Sequence, residues 1–133
     1  WEYAARAGSE SLFHWGNEEP LACASDHPFG ANFLSCRPAT ARTDPVGRYS
    51  ANAFGLFGVH GNVWEWVEDC SNTSYSGAPS DGSPWLSGDC TRRMRRSGAW
   101  TDTDSSRIRS ANRGRNLRDL RVPSTGLRVA RDL

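Results

Sequence analysis

The chain has 133 residues, a formal net charge of +1 and 16 basic side chains, all of them arginine. That length predicts one domain with room for a real core, and no apolar run of about 18 residues occurs, so no membrane-spanning helix is expected. Eight arginines fall between Arg107 and Arg131, but small residues and aspartates interrupt them, and the near-neutral balance argues against nucleic acid as a partner.

Trp1 to Ala7 reads as the end of a helix, with Trp1, Ala4 and Ala5 on one face and Gly8 as the stop. From Ser9 to Arg42 the chain is rich in Gly, Pro, Ser, Asn and Asp with isolated aromatics, which predicts long loops. The stretch Phe54 to Trp66 then places four aromatic rings and three glycines in thirteen residues, with Glu65 as its one formal charge. Such a stretch predicts a tightly turned core. A carboxylate between Trp64 and Trp66 needs a cation, a metal or several N–H donors, and an arginine ion pair is the expected solution.

Val63 to Val67 alternates as a strand does, and Met94–Trp100, Ser106–Ala111 and Gly126–Ala130 are further short strand candidates. Cys70 and Cys90 bracket an insertion rich in Gly, Ser and Pro. A bridge there would staple a loop with little core of its own, contributing about 3 kcal/mol by chain entropy. Cys23 and Cys36 could do the same for the preceding loop, and four cysteines permit three connectivities. No C-x-x-C spacing is present, which argues against a zinc ribbon or a redox dithiol. Oxidised cysteines would place the chain in an extracytoplasmic or otherwise oxidising setting.

Asn52-Ala53-Phe54-Gly55-Leu56 followed by Gly61-Asn62-Val63-Trp64-Glu65-Trp66 resembles the signature of the sulfatase-modifying factor family, the formylglycine-generating-enzyme-like domains. Six further blocks agree in order: Trp1 to Arg6, Trp15-Gly16-Asn17, Asp44 to Gly47, Arg96 to Trp100, Arg109 to Arg113, and Gly126 to Ala130. The resemblance implies an α+β fold with little regular secondary structure, C-type-lectin-like and of the formylglycine-generating-enzyme type. The family's domain is nearly twice as long, so residues 1–133 are expected to be its C-terminal half, with the N-terminal half as a partner.

The resemblance also implies three sites. Family enzymes hold copper on two cysteines shortly after the motif that Arg96–Trp100 matches, and soft thiolates suit Cu(I). Here Thr101-Asp102-Thr103-Asp104-Ser105-Ser106-Arg107 follows Trp100 and no cysteine occurs after Cys90, so neither copper binding nor formylglycine generation is expected. An iron site held by three histidines is not expected either, because His14, His27 and His60 lack an H-x-x-x-H type of spacing. The family's calcium sites use hard oxygen ligands. One would take Glu65 and the carbonyls of Gly61 and Val63, weakened because Gly58 stands where relatives supply a side-chain oxygen. The other would take Asn32 and the Phe33 carbonyl, with Pro38 in place of an aspartate.

In the C-terminal segment, relatives carry runs of asparagine. This chain keeps a frame of Trp100, Arg109 to Arg113, Arg115, Asn116, Arg121, Gly126 and Arg128, and replaces asparagines by Thr101, Asp102, Thr103, Gly114, Leu120, Val122, Pro123 and Ser124. Each replacement is reachable from an AAC codon through its adenines alone, the pattern of variable proteins diversified by retroelements. Leu127, Ser97 and Ala99 depart from the family frame in ways adenine changes do not explain. The resemblance thus implies a non-catalytic binding module for an unknown protein or small ligand. Its expected surface comprises Trp100, Thr101, Asp102, Thr103, Asp104, Ser105, Gly114, Asn116, Leu117, Leu120, Val122, Pro123 and Ser124, with the frame arginines pointing inward or paired. The rival expectation is an oxidoreductase whose active-site groups lie partly outside this chain.

Overall fold

A computed structural model describes residues 1–22, 26–33 and 42–130. The Cys23 and Cys36 pairing and the calcium position at Pro38 lie outside these residues.

Helix α1 (Glu2–Arg6) rests on Ala4 and Ala5 and on an ion pair between Glu2 and Arg6, one turn apart at 2.8 Å. It stops one residue before the expected glycine: Ala7 already takes a left-handed conformation (φ 48°) and returns its N–H to the Tyr3 carbonyl. Buried Asn52 holds this end in place. Its amide nitrogen donates to the carbonyls of Ala4 (2.7 Å) and Ala5 (3.0 Å), and its amide oxygen accepts the N–H groups of Phe54 and Leu56. Carbonyls left over at the helix end are satisfied and the loop that follows is tied to α1.

Strands β1 (Leu21–Ala22) and β2 (Gly30–Ala31) form a small parallel pair. The main sheet contains β3 (Trp64–Ser71), β4 (Asp89–Arg96), β5 (Gly114–Leu117) and β6 (Thr125–Gly126), in the order β5-β4-β3-β6. β3 and β4 are antiparallel with Glu65 opposite Arg96 and Trp66 opposite Arg95; β6 runs parallel to β3 with Trp64 beside Thr125. The Cys70–Cys90 disulfide ties β3 to β4, as the sequence suggested, across a register irregularity. Among the described residues no helix is long and apolar enough to cross a membrane.

Several expectations on local structure need correction. Gly126–Ala130 is strand only at Gly126, and Met94–Trp100 only as far as Arg96. Ser106–Ala111 is not a strand: Ser105–Ile108 is a 3-10 turn, started by the Asp104 carboxylate accepting the Ser106 N–H at 2.8 Å. β5 was not foreseen, because Arg115 and Asn116 carry no apolar alternation. The Phe54–Trp66 stretch is core only in its second half. Val59, His60, Trp64 and Glu65 are buried, whereas Phe54 and Phe57 are 50% and 43% exposed.

The main apolar cluster joins Phe13, Ala31, Phe33 and Ile108, with Trp15 packed against it and stacked on Phe13 at 4.9 Å. Much of the remaining interior is hydrogen-bonded backbone organised by Asn62. Its amide oxygen accepts the Asp44 N–H (2.8 Å), its own N–H donates to the Asn32 carbonyl (2.8 Å), and its carbonyl accepts the Trp100 N–H (2.9 Å). Gly61 next to it has positive φ and lies so close to the Asn32 carbonyl that any Cβ would collide. With few long elements available, these loops are held by side-chain amides.

Candidate functional site

Strand alternation sends Trp64 and Trp66 to one face of the sheet and Glu65 to the other. On its face Glu65 is 4% exposed and fully engaged. Arg128 Nη2 donates to Oε1 at 2.8 Å, Arg128 Nε donates to both oxygens at 3.1 Å, and the Trp1 indole donates to Oε2 at 2.6 Å. Arg128 Nη2 continues to the Phe57 carbonyl at 2.9 Å, so one guanidinium links β3, the 54–58 loop and the C-terminal segment. Beside it Arg96 pairs with Glu2, donates to the Ser110 carbonyl at 2.6 Å and stacks over the Trp1 ring. Burial pushes the Glu2 carboxyl up, but the Arg6 hydrogen bond and the Arg96 charge outweigh it and leave the group below its ordinary value.

These residues do not fit a calcium ion. Both Glu65 oxygens already face N–H donors of Arg128 and the Trp1 indole, the Gly61 carbonyl accepts the Ser97 hydroxyl at 3.0 Å, and Gly58 brings no side-chain oxygen. The arginine expected as partner is Arg128.

The opposite face is built differently. The Arg95 guanidinium lies over both Trp64 (5.0 Å) and Trp66 (5.5 Å), and its Nη1 donates to the Thr125 hydroxyl at 2.9 Å. Its buried Nε has no hydrogen-bond partner, and burial lowers its pKa while the Asp102 charge opposes that shift. Asp102 is half-buried. Burial raises its pKa against the Ala99 N–H it accepts (2.8 Å) and the charges of Arg107 and Arg95. Next to this cluster lies an open groove of about 470 Å³. Trp66, Leu120, Val122, Pro123 and Leu127 supply its apolar surface, and Thr125 and Arg121 its polar groups.

The residues expected to form one binding face divide among several places. Leu120, Val122 and Pro123 meet at the Trp66 groove, with Ser124 half-buried beside them, its carbonyl accepting the Trp64 N–H. Leu117 lines a second groove with Cys90, Arg118 and Asp119. Thr101, Thr103 and Asp104 are exposed, but Asp102 and Asp104 spend their carboxylates on backbone N–H groups of their own turns. Ser105 and Asn116 are half-buried, and Asn116 caps the Leu117 N–H. Trp100 is half-buried, with an indole nitrogen that finds no partner. Gly114 is a packing position and no variable surface: a Cβ there would stand 2.7 Å from the Trp64 ring. Arg121, expected to point inward, is exposed, whereas Arg113 packs over the Tyr75 ring at 4.2 Å and Arg109 donates to the Ser106 carbonyl.

Sequence reasoning missed two features. Arg95 was read only as part of a strand, although arginine beside paired tryptophans is a known stacking signal. His14 and His60 stack face to face at 5.1 Å. Burial pushes the His14 ring down to about 4, and burial with the His14 charge pushes His60 down to about 3. His60 is thus neutral, Nδ1 donating to the Ile108 carbonyl (2.7 Å) and Nε2 accepting the His14 N–H (3.1 Å). This is a core cross-link, and the described residues contain no group of three or more metal-ligating side chains.

Over residues 1–133 the sequence matches the sulfatase-modifying factor enzyme 1-like domain. It is 32% identical to the formylglycine-generating enzyme of Streptomyces coelicolor over 139 residues, covering 99% of this chain and 44% of that protein. The corresponding enzyme of Mycobacterium tuberculosis is 40% identical over 71 residues, 50% of this chain and 24% of its own length. Among solved structures, PvdO from Pseudomonas aeruginosa superposes with a TM-score of 0.80 and 37% identity over 95% of this chain and 47% of that one. Treponema denticola variable protein 1 does so with a TM-score of 0.76 and 25% identity over 96% and 43%. The chain therefore spans less than half the length of these relatives. Mostly sheet with few helices, it shares their formylglycine-generating-enzyme-type, C-type-lectin-like fold. It belongs to the family of sulfatase-modifying factor enzyme 1-like domains.

Proposed function

We propose that this chain is a non-catalytic ligand-binding module on the formylglycine-generating-enzyme-type scaffold, and that its binding surface is the groove beside Trp66. The observation that carries this reading is the turn after Trp100, where oxidation chemistry would need a pair of thiols. Residues 101–107 supply hydroxyls, two carboxylates already committed to backbone N–H groups, and an arginine. Hard oxygen ligands do not replace soft thiolates for Cu(I). Among the described residues the cysteines, Cys70 and Cys90, are spent on a disulfide.

The groove supports the binding half of the reading. It gathers three of the expected variable positions, Leu120, Val122 and Pro123, around an aromatic ring that the sheet holds rigidly. Adaptable side chains on a fixed frame suit recognition. Likeness to the Treponema denticola variable protein agrees with this use of the fold. Incubated with copper and a sulfatase-type peptide containing cysteine, the chain should produce no aldehyde above a cysteine-free peptide control. Aldehyde formation by the chain would overturn the reading in favour of an oxidoreductase.

A further inference from the structure

The groove beside Trp66 has a charge pattern that narrows its ligand. Its surface is apolar apart from Thr125 and Arg121, and no carboxylate lines it. Arg121 is exposed there. Immediately behind, Arg95 lies half-buried against Trp66 and touches the groove through Thr125. On the other face of the sheet Arg96 pairs with Glu2 and Arg128 with Glu65. Among the described residues Arg95 forms no ion pair, and its buried Nε, like that of Arg96, has no hydrogen-bond partner. Asp102 acts on it only through charge, and its carboxylate accepts the Ala99 N–H. The side chains lining the groove bring it positive charge, from Arg121, and no carboxylate, which favours a ligand carrying negative charge.

Resting on the binding-module reading above, we infer that the groove takes an acidic peptide segment bearing a bulky apolar side chain. The apolar side chain would lie on Trp66, Leu120, Val122 and Leu127, and flanking carboxylates would face Arg121 and the Thr125 hydroxyl that Arg95 backs. An open groove of about 470 Å³ suits a few residues of extended chain better than a fully enclosed small molecule. Among the described residues β6 is the edge strand of the sheet, the position from which an extended peptide would approach.

The probe is a labelled peptide Glu-Glu-Leu-Glu-Glu, compared with its Gln-Gln-Leu-Gln-Gln and Lys-Lys-Leu-Lys-Lys counterparts. Binding is followed by amide and indole NMR shifts of the intact chain. The acidic peptide should give saturable shifts at the Trp66 indole and at residues 120–127, weakening as salt is raised. Arg121→Glu, an exposed change, should weaken it at least about tenfold, the equivalent of 1.4 kcal/mol. Arg121→Lys should retain most of the binding, and Tyr3→Ala, remote from the groove, should leave it unchanged. If the glutamine or lysine peptide shifts the same resonances as strongly as the acidic one, the inference fails while the binding surface stands. If the acidic peptide gives no saturable shift at the groove, or shifts another face instead, the inference fails and the groove loses its support as a binding surface as well.

Discussion

The two faces of the β3–β4 pair use the same residue types to opposite ends. Behind the sheet, Glu65, Arg96 and Arg128 meet indole and carbonyl groups in a network where each charge finds its opposite. In front, Arg95 lies over both tryptophan rings and, among the described residues, has no carboxylate within ion-pair distance, next to an open groove. Residues one position apart in sequence, Arg95 and Arg96, are thereby held in two different ways, one by ring faces and one by a carboxylate. On one face the guanidinium is matched by a carboxylate, and on the other it is held by π contacts and the Thr125 hydroxyl.

Substitution on the closed face should have the largest effect. Glu65→Ala leaves Arg128 and the Trp1 indole facing a void, and removing one partner of a buried pair typically costs about 3–5 kcal/mol. Denaturant melts should show that loss. An effect within about 0.5 kcal/mol would mean that the pair is solvated and that the contrast between the faces is unfounded. The front face should respond to shape more than to charge. Gly114→Ala drives a methyl into the Trp64 ring and should cost about 1–3 kcal/mol by overpacking. Its Trp fluorescence should shift at the same time, and an unchanged spectrum with unchanged stability would remove Gly114 from the packing of that face. At the bottom of the scale, Thr103→Ala on the exposed turn should alter stability by no more than about 0.5 kcal/mol. A larger loss in the same melts would show that the turn, too, bears on the fold.

Much of the closed face could be read in the sequence. A lone carboxylate between two tryptophans has few physical outcomes, and an arginine partner was the expected one; only the identity of Arg128, 63 residues away, needed coordinates. The Cys70–Cys90 bridge was legible for a similar reason, because the loop between them has little else to close it. The front face was less legible. Gly114 counted as one of several substituted asparagines, and nothing local reveals that the Trp64 ring reaches across β4 to lie against it. Asp104 looked like a variable surface residue, whereas its carboxylate starts the 3-10 turn that replaces an expected strand. Phe54 and Phe57 suggested core by composition alone, but Asn52 and Arg128 clamp the backbone of that loop and leave both rings outside. Side-chain-to-backbone bonds of this kind decide loop structure and have no periodicity to betray them.

The tether at the base of the 72–88 insertion has a consequence for how this chain survives damage. Cys70 is linked to Cys90, its N–H donates to the Trp85 carbonyl, and the Asn72 amide holds the Ser87 carbonyl at 2.8 Å. Residues 79–84 beyond these ties are exposed, the type of loop tip where proteases cut and insertions are accepted. A chain nicked there would still migrate as one species until a reductant separated its fragments, with β3 and β4 paired throughout. The insertion can therefore be opened, lengthened or fused to another polypeptide while the strands that carry Trp66 and Arg95 stay in register.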